Sequence, residues 1–143
     1  MATSTPRKIQ RYGWIPDLPD ARDHLYAAPM AVVALPLKAD LRPNCPPVYD
    51  QGQLGSCTAN AIGAAIQFDR MKQHLSPDFI PSRLFIYYNE RVMEGTVSTD
   101  SGAMIRDGIK SVAKQGACPE RDWPYDIAKF AMRPPQADYK EAL

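Results

Sequence analysis

The sequence lacks the features that mark several common classes of protein. No apolar run in it approaches the length that a membrane-spanning helix needs. The 17 Lys and Arg residues nearly balance the 16 Asp and Glu residues, so the chain has no one-signed field that would attract nucleic acid or an anionic lipid surface. The basic residues near the N-terminus have no apolar segment behind them, so the sequence as written has no secretory signal. We therefore expect no nucleic-acid or membrane partner, and a cytoplasmic location by default.

Cysteine and histidine are scarce as well. The three cysteines, Cys45, Cys57 and Cys118, are too few for a disulfide scaffold, and an odd number leaves at least one thiol free. A disulfide between Cys45 and Cys118 and a pair of incidental free thiols both stay open. We interpret the two histidines, His24 and His74, as ordinary surface residues. We expect neither a metal nor another cofactor.

The residues that are present indicate one soluble globular domain. The chain has 143 residues, of which 45% are hydrophobic and 23% are charged, and this balance is typical of a folded soluble protein. Its length suits one domain with one hydrophobic core. The 14 prolines predict many loops and sharp chain reversals.

Residues 1–34 predict an extended arm, because they show neither helical nor strand periodicity and hold prolines among scattered charges. Their apolar residues, among them Tyr12, Trp14 and Leu25, are too many for a freely solvated tail, so we expect the arm to lie along the surface of the body. Two interpretations stay open, a structural strap and a prosegment that blocks a functional site. We favour the strap.

Apolar periodicity predicts a long helix that begins at Cys57 and runs to about Met71. Ala61, Ala65 and Phe68 fall on one stripe of this helix at the 3.6-residue period. We expect its many alanines to pack closely on neighbouring elements. Gly-rich sequence just before the helix suits a tight loop that leads into it.

Two shorter helices follow. The second starts at Ser82 and ends before Gly95. The third opens near Asp100 or Ser101 and stops at Gly116. We therefore interpret Asp100 as a helix cap rather than a catalytic acid. The periodicity of the third helix turns several residues inward, namely Met104, Ile105, Ile109, Val112 and Ala113.

The strongest chemical pattern runs from Gln51 to Thr58, where a glutamine and a glycine-rich bend precede a cysteine in the first turn of an apolar helix. A thiol at a helix N-terminus lies at the positive end of the helix dipole, which favours the nucleophilic thiolate. In acyl transfer, the backbone N–H of Cys57 and the side-chain amide of Gln51 can together stabilise the oxyanion of a tetrahedral intermediate. The pattern predicts Cys57 as a nucleophile and Gln51 as an oxyanion-hole residue.

This block resembles the nucleophile loop of the papain-like cysteine peptidases, which reads Gln-Gly-x-x-Gly-Ser-Cys at the start of the long central helix of the left domain. The matching residues are Gln51, Gly52, Gly55, Ser56 and Cys57. The resemblance implies an α+β papain-like fold, truncated to its mainly helical left domain, with an irregular N-terminal arm. It also implies a polypeptide substrate, whose peptide bonds are hydrolysed through an acyl-enzyme.

Further segments resemble the same family, and more particularly its bacterial branch. Residues 35–42 look like the mature N-terminus, residues 123–125 look like a Tyr-Pro-Tyr segment, and residues 45–61 and 82–88 look like the bacterial enzymes. Ser101-Gly102-Ala103 resembles the Asn-Gly-Gly turn whose backbone pairs with bound peptide. The resemblance therefore implies a substrate-binding surface made of Gly55, Ser56, Ser101, Gly102, Ala103, Met104 and Ile105.

The chain also departs from the family pattern. Leu54 stands where these enzymes usually have a cysteine, whose disulfide partner lies near the position of Asp100, so that family disulfide is absent. Thr58 stands where an aromatic residue usually follows the nucleophile. Neither change removes the chemistry of Cys57. The redox compartment stays open.

The general base that the family uses is not found. Its His usually lies about 130–150 residues after the nucleophile, with an Asn behind it, but only 86 residues follow Cys57. His74 should lie about 25 Å from the thiol, at the far end of the helix, and His24 lies in the arm. We therefore expect residues 35–143 to be the left-domain half, without the right β domain and with negligible turnover alone. Its exposed apolar cleft face should bind the missing half or promote self-association.

Several functional alternatives stay open. In the first, the chain carries the nucleophile half of a cysteine endopeptidase. In the second, it is a non-catalytic peptide-binding, inhibitory or interaction module in which Cys57 is a relic, and a redox sensor built on Cys57 is a third. A buried, unreactive Cys57 is the simplest structural alternative, but the Gln-Gly-x-x-Gly-Ser context disfavours it. We rank the peptidase lineage first.

Overall fold

The computed structural model describes residues 12–25, 27 and 36–142 of the chain. The expected boundary between arm and body, at residues 34 and 35, lies outside the described residues. Within the described ranges, no helix is both long and apolar enough to span a bilayer. The elements, in chain order, are β1 (Trp14–Ile15), α1 (Cys57–Lys72), α2 (Arg83–Glu94), β2 (Ala103–Met104), α3 (Ile105–Gln115) and α4 (Gln136–Glu141), with single turns of 3-10 helix at Arg42–Asn44 and Ile127–Lys129.

The three longest helices, α1, α2 and α3, pack against one another and form the body. The short strands β1 and β2 pair in parallel, with Trp14 opposite Ala103 and Ile15 opposite Met104. The arm is therefore joined to the body just before α3 begins. The described part of the chain is mainly helical, as expected for the left domain of an α+β papain-like fold.

The hydrophobic core lies around α2. Four consecutive residues of this helix, Leu84 to Tyr87, are almost completely buried, so α2 is covered on several sides. The loops before α1 and after α3 complete the core. Its buried apolar members are Leu54, Ala59, Ile62, Leu84, Phe85, Ile86, Tyr87, Ala103, Cys118 and Trp123.

The starts of α1 and α2 agree with the sequence prediction. α1 begins at Cys57. The hydroxyl of Ser82 accepts a hydrogen bond from the Phe85 N–H at 3.1 Å and so caps α2. Gly95 ends α2 in the left-handed conformation, with φ of 71°, which a glycine adopts without steric cost.

The predicted start of α3 is wrong. α3 begins at Ile105 rather than near Asp100 or Ser101, because the intervening residues form a turn and then β2. The backbone N–H of Arg106 donates to the Asp17 carboxylate of the arm at 2.9 Å, so a residue distant in sequence satisfies this helix end.

The predicted inward face of α3 is also wrong in part. Its buried residues are Gly108 and Ser111, whereas Ile109 is 56% exposed and Ala113 is exposed. Gly108 lets α3 approach its neighbours closely, since a Cβ there would lie 2.4 Å from the Ile62 side chain and 2.6 Å from the Glu90 carboxylate. The helix is therefore rotated to present its smallest residues to the core.

The alanine stripe of α1 lies on the outer side of the helix. Ala61 and Ala65 are exposed, and the helix buries Ala59, Ile62 and Gly63 instead. The expectation that the alanines of α1 pack closely on neighbouring elements therefore holds for Ala59, which is fully buried in the core, and is wrong for Ala61 and Ala65. The stripe forms one wall of an apolar surface groove, which we call the α1 groove; it is lined by Cys45, Pro46, Pro47, Val48, Tyr49, Asn60, Ala61, Ala64, Ala65 and Phe68.

Candidate active site

The loop before α1 is a tight, internally bonded turn. Gly52 has φ of 60°, and its N–H donates to the Asp50 side chain at 2.8 Å. The side-chain amide of Gln51 is 7% exposed and donates to the Leu54 carbonyl at 2.9 Å. An amide nitrogen carries two N–H groups, so this bond orients the Gln51 amide while leaving it a second donor.

Cys57 occupies the first position of α1 and is half-buried. The first turn of a helix has backbone N–H groups without partners inside the helix. These groups and the helix dipole favour negative charge at this place. The half-buried thiol therefore lies at the N-terminal end of the dipole of α1.

Tyr125 ties the two ends of the nucleophile loop together. Its hydroxyl donates to the Gln51 carbonyl at 3.0 Å and is also hydrogen-bonded to the buried Ser56 hydroxyl. Asn60, one turn into α1, donates to the Ser56 carbonyl at 2.8 Å and to the Ser56 hydroxyl at 3.0 Å. The loop and the first turn of α1 therefore form one hydrogen-bonded unit. Sequence reasoning placed Tyr125 in a family segment but did not find this role.

Asp100 joins this loop to the turn before β2. Its two carboxylate oxygens accept the Gly55 N–H at 3.0 and 3.1 Å. The Tyr87 hydroxyl donates to Asp100 at 2.5 Å and accepts the Gly102 N–H at 3.2 Å. The interpretation of Asp100 as a helix cap is therefore wrong, because its carboxylate is engaged by the nucleophile loop.

The residues of the Ser101–Ala103 turn lie beside the nucleophile loop as a result of these bonds. Gly102 has φ of 80°, and the Ser101 hydroxyl donates to the Gly102 carbonyl at 3.2 Å. Met104 is half-buried, and its N–H donates to Glu94 at 2.7 Å. Ile105 is 36% exposed at the start of α3.

The arm passes directly over this turn. The Ala103 N–H donates to the Gly13 carbonyl at 2.8 Å. A Cβ added to Gly13 would lie 1.7 Å from the carbonyl oxygen of Gly55, and one added to Gly102 would lie 1.9 Å from the carbonyl oxygen of Gly13. Backbone therefore packs on backbone here, and Gly13 contacts both the nucleophile loop and the turn.

Acidic residues anchor the following part of the arm to α3. The Arg106 guanidinium pairs with Asp23 at 2.7 Å and with Asp20 at 3.4 Å. Hydrogen bonds from Arg22 lower the pKa of Asp20 to about 2, and the hydrogen bond from Arg106 lowers the pKa of Asp23. Both carboxylates are therefore ionised near neutral pH and available to hold the arm.

A second buried contact supports the start of α1. The Thr58 hydroxyl donates to the Glu90 carboxyl at 2.7 Å in the core. Burial raises the pKa of Glu90 to about 8, and the charges of Glu94 and Asp107 act in the same direction. The carboxyl is therefore mostly protonated at neutral pH.

The remaining candidate residues lie apart from this site. Cys45 is exposed and donates to the Leu41 carbonyl, whereas Cys118 is fully buried, and burial raises its pKa to about 12. Both thiols are free, so the Cys45–Cys118 disulfide that the sequence left open is not formed. His24 is exposed in the arm, and His74 is exposed just beyond the far end of α1. Among the described residues, no three His, Cys, Asp or Glu side chains are grouped as a metal site would require.

A thiol at the start of a long helix, a glutamine in the loop before it and a glycine turn beside that loop are the layout of a papain-like left domain. The solved structure of xylellain, a cysteine protease from Xylella fastidiosa, superposes with a TM-score of 0.81 at 51% sequence identity, over 99% of this chain and 57% of that one. An uncharacterized peptidase C1-like protein of Acanthamoeba polyphaga mimivirus is 43% identical over 99% of this chain and 50% of its own length.

No family model matches the chain. The two relatives nevertheless agree, and the chain matches the left-domain portion of a papain-like cysteine peptidase. The expected fold class is confirmed. The chain spans about half the length of the relatives that it matches.

Proposed function

We propose that this chain supplies the nucleophile half of a cysteine endopeptidase. The observation that carries the proposal is the meeting of three features at one place: the half-buried Cys57 at the start of α1, the oriented Gln51 amide in the adjoining loop, and the Gly102 turn held beside that loop. A polypeptide is the proposed substrate, as the family resemblance implies, and an extended peptide would pair with the backbone of β2 in the place that β1 now holds.

In the proposed reaction, the Cys57 thiolate attacks the peptide carbonyl carbon and a C–S bond forms. The electron pair of the carbonyl π bond moves to oxygen, where the Cys57 N–H and the free N–H of the Gln51 amide stabilise the charge. Collapse of this intermediate expels the amine, which takes up a proton. Water then cleaves the acyl-enzyme and restores the thiolate.

We further propose that this chain alone has negligible turnover. The leaving amine needs a proton donor, and a His normally provides it in this type of chemistry. His74 lies beyond the far end of α1, a helix about 24 Å long, and His24 lies in the arm. A His would therefore come from a segment or chain that packs on the cleft side of this half.

We also propose that the arm is a prosegment-like strap that occupies the peptide site. The support is its contact with the Gly102 turn, where β1 pairs with β2 through the Ala103 N–H. These are the residues that the family resemblance assigns to substrate backbone. The strap and blocking interpretations thus describe the same segment.

A labelling experiment tests the nucleophile proposal. The chain is treated with a large excess of a peptidyl vinyl sulfone, so that the probe competes with the arm for β2, and with iodoacetamide as a probe of general thiol reactivity. Both probes are applied to wild type and to Gln51→Ala. We expect the vinyl sulfone to label Cys57 far faster than the exposed Cys45, and Gln51→Ala to slow this labelling by roughly 10²-fold, the usual cost of one oxyanion donor. Iodoacetamide labelling should change little.

The matched control is Gln53→Ala, which removes an exposed glutamine from the same loop. Vinyl sulfone labelling of Cys57 no faster than that of Cys45 would sink the proposal. The alternative of a non-catalytic peptide-binding module shares the same β2 surface. It predicts peptide binding that survives Cys57→Ala, together with no selectivity of the probe for Cys57.

A further inference from the structure

The nucleophile loop and the turn before β2 are joined at a single carboxylate. Asp100 accepts the Gly55 N–H with both oxygens. Gly55 and Asp100 are 45 residues apart in the chain, so this bond determines how two distant segments lie relative to each other. A hydrogen bond to an ionised acceptor is shorter and stronger than a neutral one.

Tyr87 extends this contact to the turn itself. Its hydroxyl donates to Asp100 and accepts the Gly102 N–H. Tyr87 is fully buried in α2, so its ring is held by the core. The four residues form a continuous path from Gly55 through Asp100 and Tyr87 to Gly102, which we call the Asp100 bridge.

The Asp100 bridge is itself held from behind. Arg91, fully buried in α2, donates to the carbonyls of Val97 at 2.8 Å and Thr99 at 3.1 Å. These carbonyls belong to the segment that ends at Asp100. The carboxylate is therefore placed by two side chains of one rigid helix rather than by a free loop.

We propose that Asp100 is the positioning residue that holds the nucleophile loop against the peptide-binding turn, in place of a covalent cross-link. Leu54, next to Gly55, is 3% exposed in the core and cannot form a disulfide. In the family pattern, a disulfide joins the position of Leu54 to a position near Asp100. Here the bridge joins these two stretches through a carboxylate and a backbone N–H, without a thiol. The cleft geometry of this chain is therefore independent of the redox state of its surroundings. The effect of the bridge on catalysis rests on the proposed function, whereas the contacts of the bridge do not.

The bridge also sets the space that the arm fills. Gly13 contacts Gly55 on one side and Gly102 on the other, and both contacts are backbone against backbone. A small change in the separation of these two glycines would open or close that space. Weakening the bridge should therefore disturb the cleft without unfolding the core.

The test uses the whole 143-residue chain, isotopically labelled for NMR. We expect the Gly55 amide proton resonance to move in Asp100→Asn, because the carboxylate that accepts its hydrogen bond is replaced by an amide. Hydrogen exchange at Gly55 should become roughly tenfold faster or more in Asp100→Asn, because a bond to a charged acceptor is lost. Tyr87→Phe should speed exchange at Gly102.

The matched control is Asp40→Asn, which also changes a carboxylate that accepts a backbone N–H, from Arg42 at 3.1 Å, in a segment beside the far end of α1. It should leave Gly55 unchanged. A Gly55 resonance that does not move in Asp100→Asn would overturn the proposal, as would exchange in Asp100→Asn that rises equally at all core amides, since that result means general destabilisation.

A third readout separates this inference from the proposed function. The ratio of vinyl sulfone to iodoacetamide labelling at Cys57 should fall in Asp100→Asn, because only the peptidyl probe needs the loop and the turn together. If wild type shows no such selectivity, the nucleophile proposal fails while the amide readouts still decide the bridge. If selectivity is present and Asp100→Asn retains it fully, the positioning role is refuted.

Dithiothreitol should leave both amide readouts unchanged, and a shift of the Gly55 signal with reductant would contradict a bridge without disulfides.

Discussion

Thr58 stands where the family pattern usually has an aromatic residue, and it forms a polar contact with Glu90 instead. Thr58 follows the nucleophile directly, and its hydroxyl donates to Glu90, which is fully buried. One oxygen of the Glu90 carboxyl has no hydrogen-bond partner among the described residues. Burying an ionised carboxylate with so few partners costs much more free energy than burying a protonated one.

Glu90 therefore links stability to pH. Its pKa rises on folding from an ordinary value of 4.5 to about 8, first because of burial. Its contribution to stability is fully present below about pH 4.5 and is lost as the pH rises to about 8. We expect Glu90→Gln to flatten the decline in the free energy of unfolding across this window, measured by urea denaturation at several pH values.

The control for this measurement is Glu141→Gln, which changes an exposed carboxyl at the end of α4. It should retain the slope of wild type. Glu94 and Asp138 also have raised pKa values because of burial, so some slope should remain in Glu90→Gln. An unchanged slope in Glu90→Gln would show that the pKa of the Glu90 carboxyl does not differ between the folded and unfolded states.

At the scale of the element, we propose that the placement of the arm decides access to Cys57. It is held by one strand pair and by the cluster of Asp17, Asp20 and Asp23 around Arg106. These ion pairs are largely exposed, and exposed pairs each contribute little. The backbone contact at Gly13 is therefore the point at which the arm is most easily dislodged.

We expect Gly13→Ala to release the arm, because its Cβ would lie 1.7 Å from a backbone oxygen that cannot move aside easily. Alkylation of Cys57 by iodoacetamide, followed by mass spectrometry, should become roughly tenfold faster, which corresponds to docking weakened by about 1.4 kcal/mol. The comparison variant is Gly63→Ala in α1, where the nearest atom to an added Cβ is a flexible Arg83 side chain at 3.4 Å. Equal rates for the two variants would argue against occlusion by the arm.

At the scale of the whole molecule, the α1 groove is an apolar surface feature without a role inside this half. Exposed apolar grooves are common places for protein–protein contact. We propose that it mediates the expected contact with the missing half or, in its absence, self-association. The groove lies on the outer stripe of α1, at Ala61, Ala65 and Phe68.

Self-association through this groove is testable in solution. We expect the sedimentation coefficient of wild type to rise with protein concentration, and Ala65→Glu to suppress this rise by placing a charge in the groove. Ala113→Glu makes the same change on the exposed side of α3 and should not suppress it. A wild-type coefficient that does not depend on concentration would contradict the proposal.

Local patterns predicted much of the fold. The start of α1 at Cys57 follows from the glycine-rich bend and the apolar periodicity after it, and both ends of α2 follow from their capping residues. These boundaries could therefore be found from the sequence. The start of α3 could not, because Asp100 is engaged by a loop 45 residues earlier and the arm supplies the partner of the Arg106 N–H. The pairing of β1 with β2 is equally non-local, and two-residue strands leave no periodicity to detect.

The hydrogen bonds from Arg91 to backbone carbonyls affect the order in which the site is assembled. This one side chain gathers the carbonyls of Val97, Thr99 and Phe130, and it lies one helical turn from Tyr87 on the same face of α2. Before α2 forms, Tyr87 and Arg91 do not lie on one face, so no contact holds the turn on the substrate side of the cleft in position. The turn should therefore be ordered late in folding, as a product of the core rather than as an independent loop.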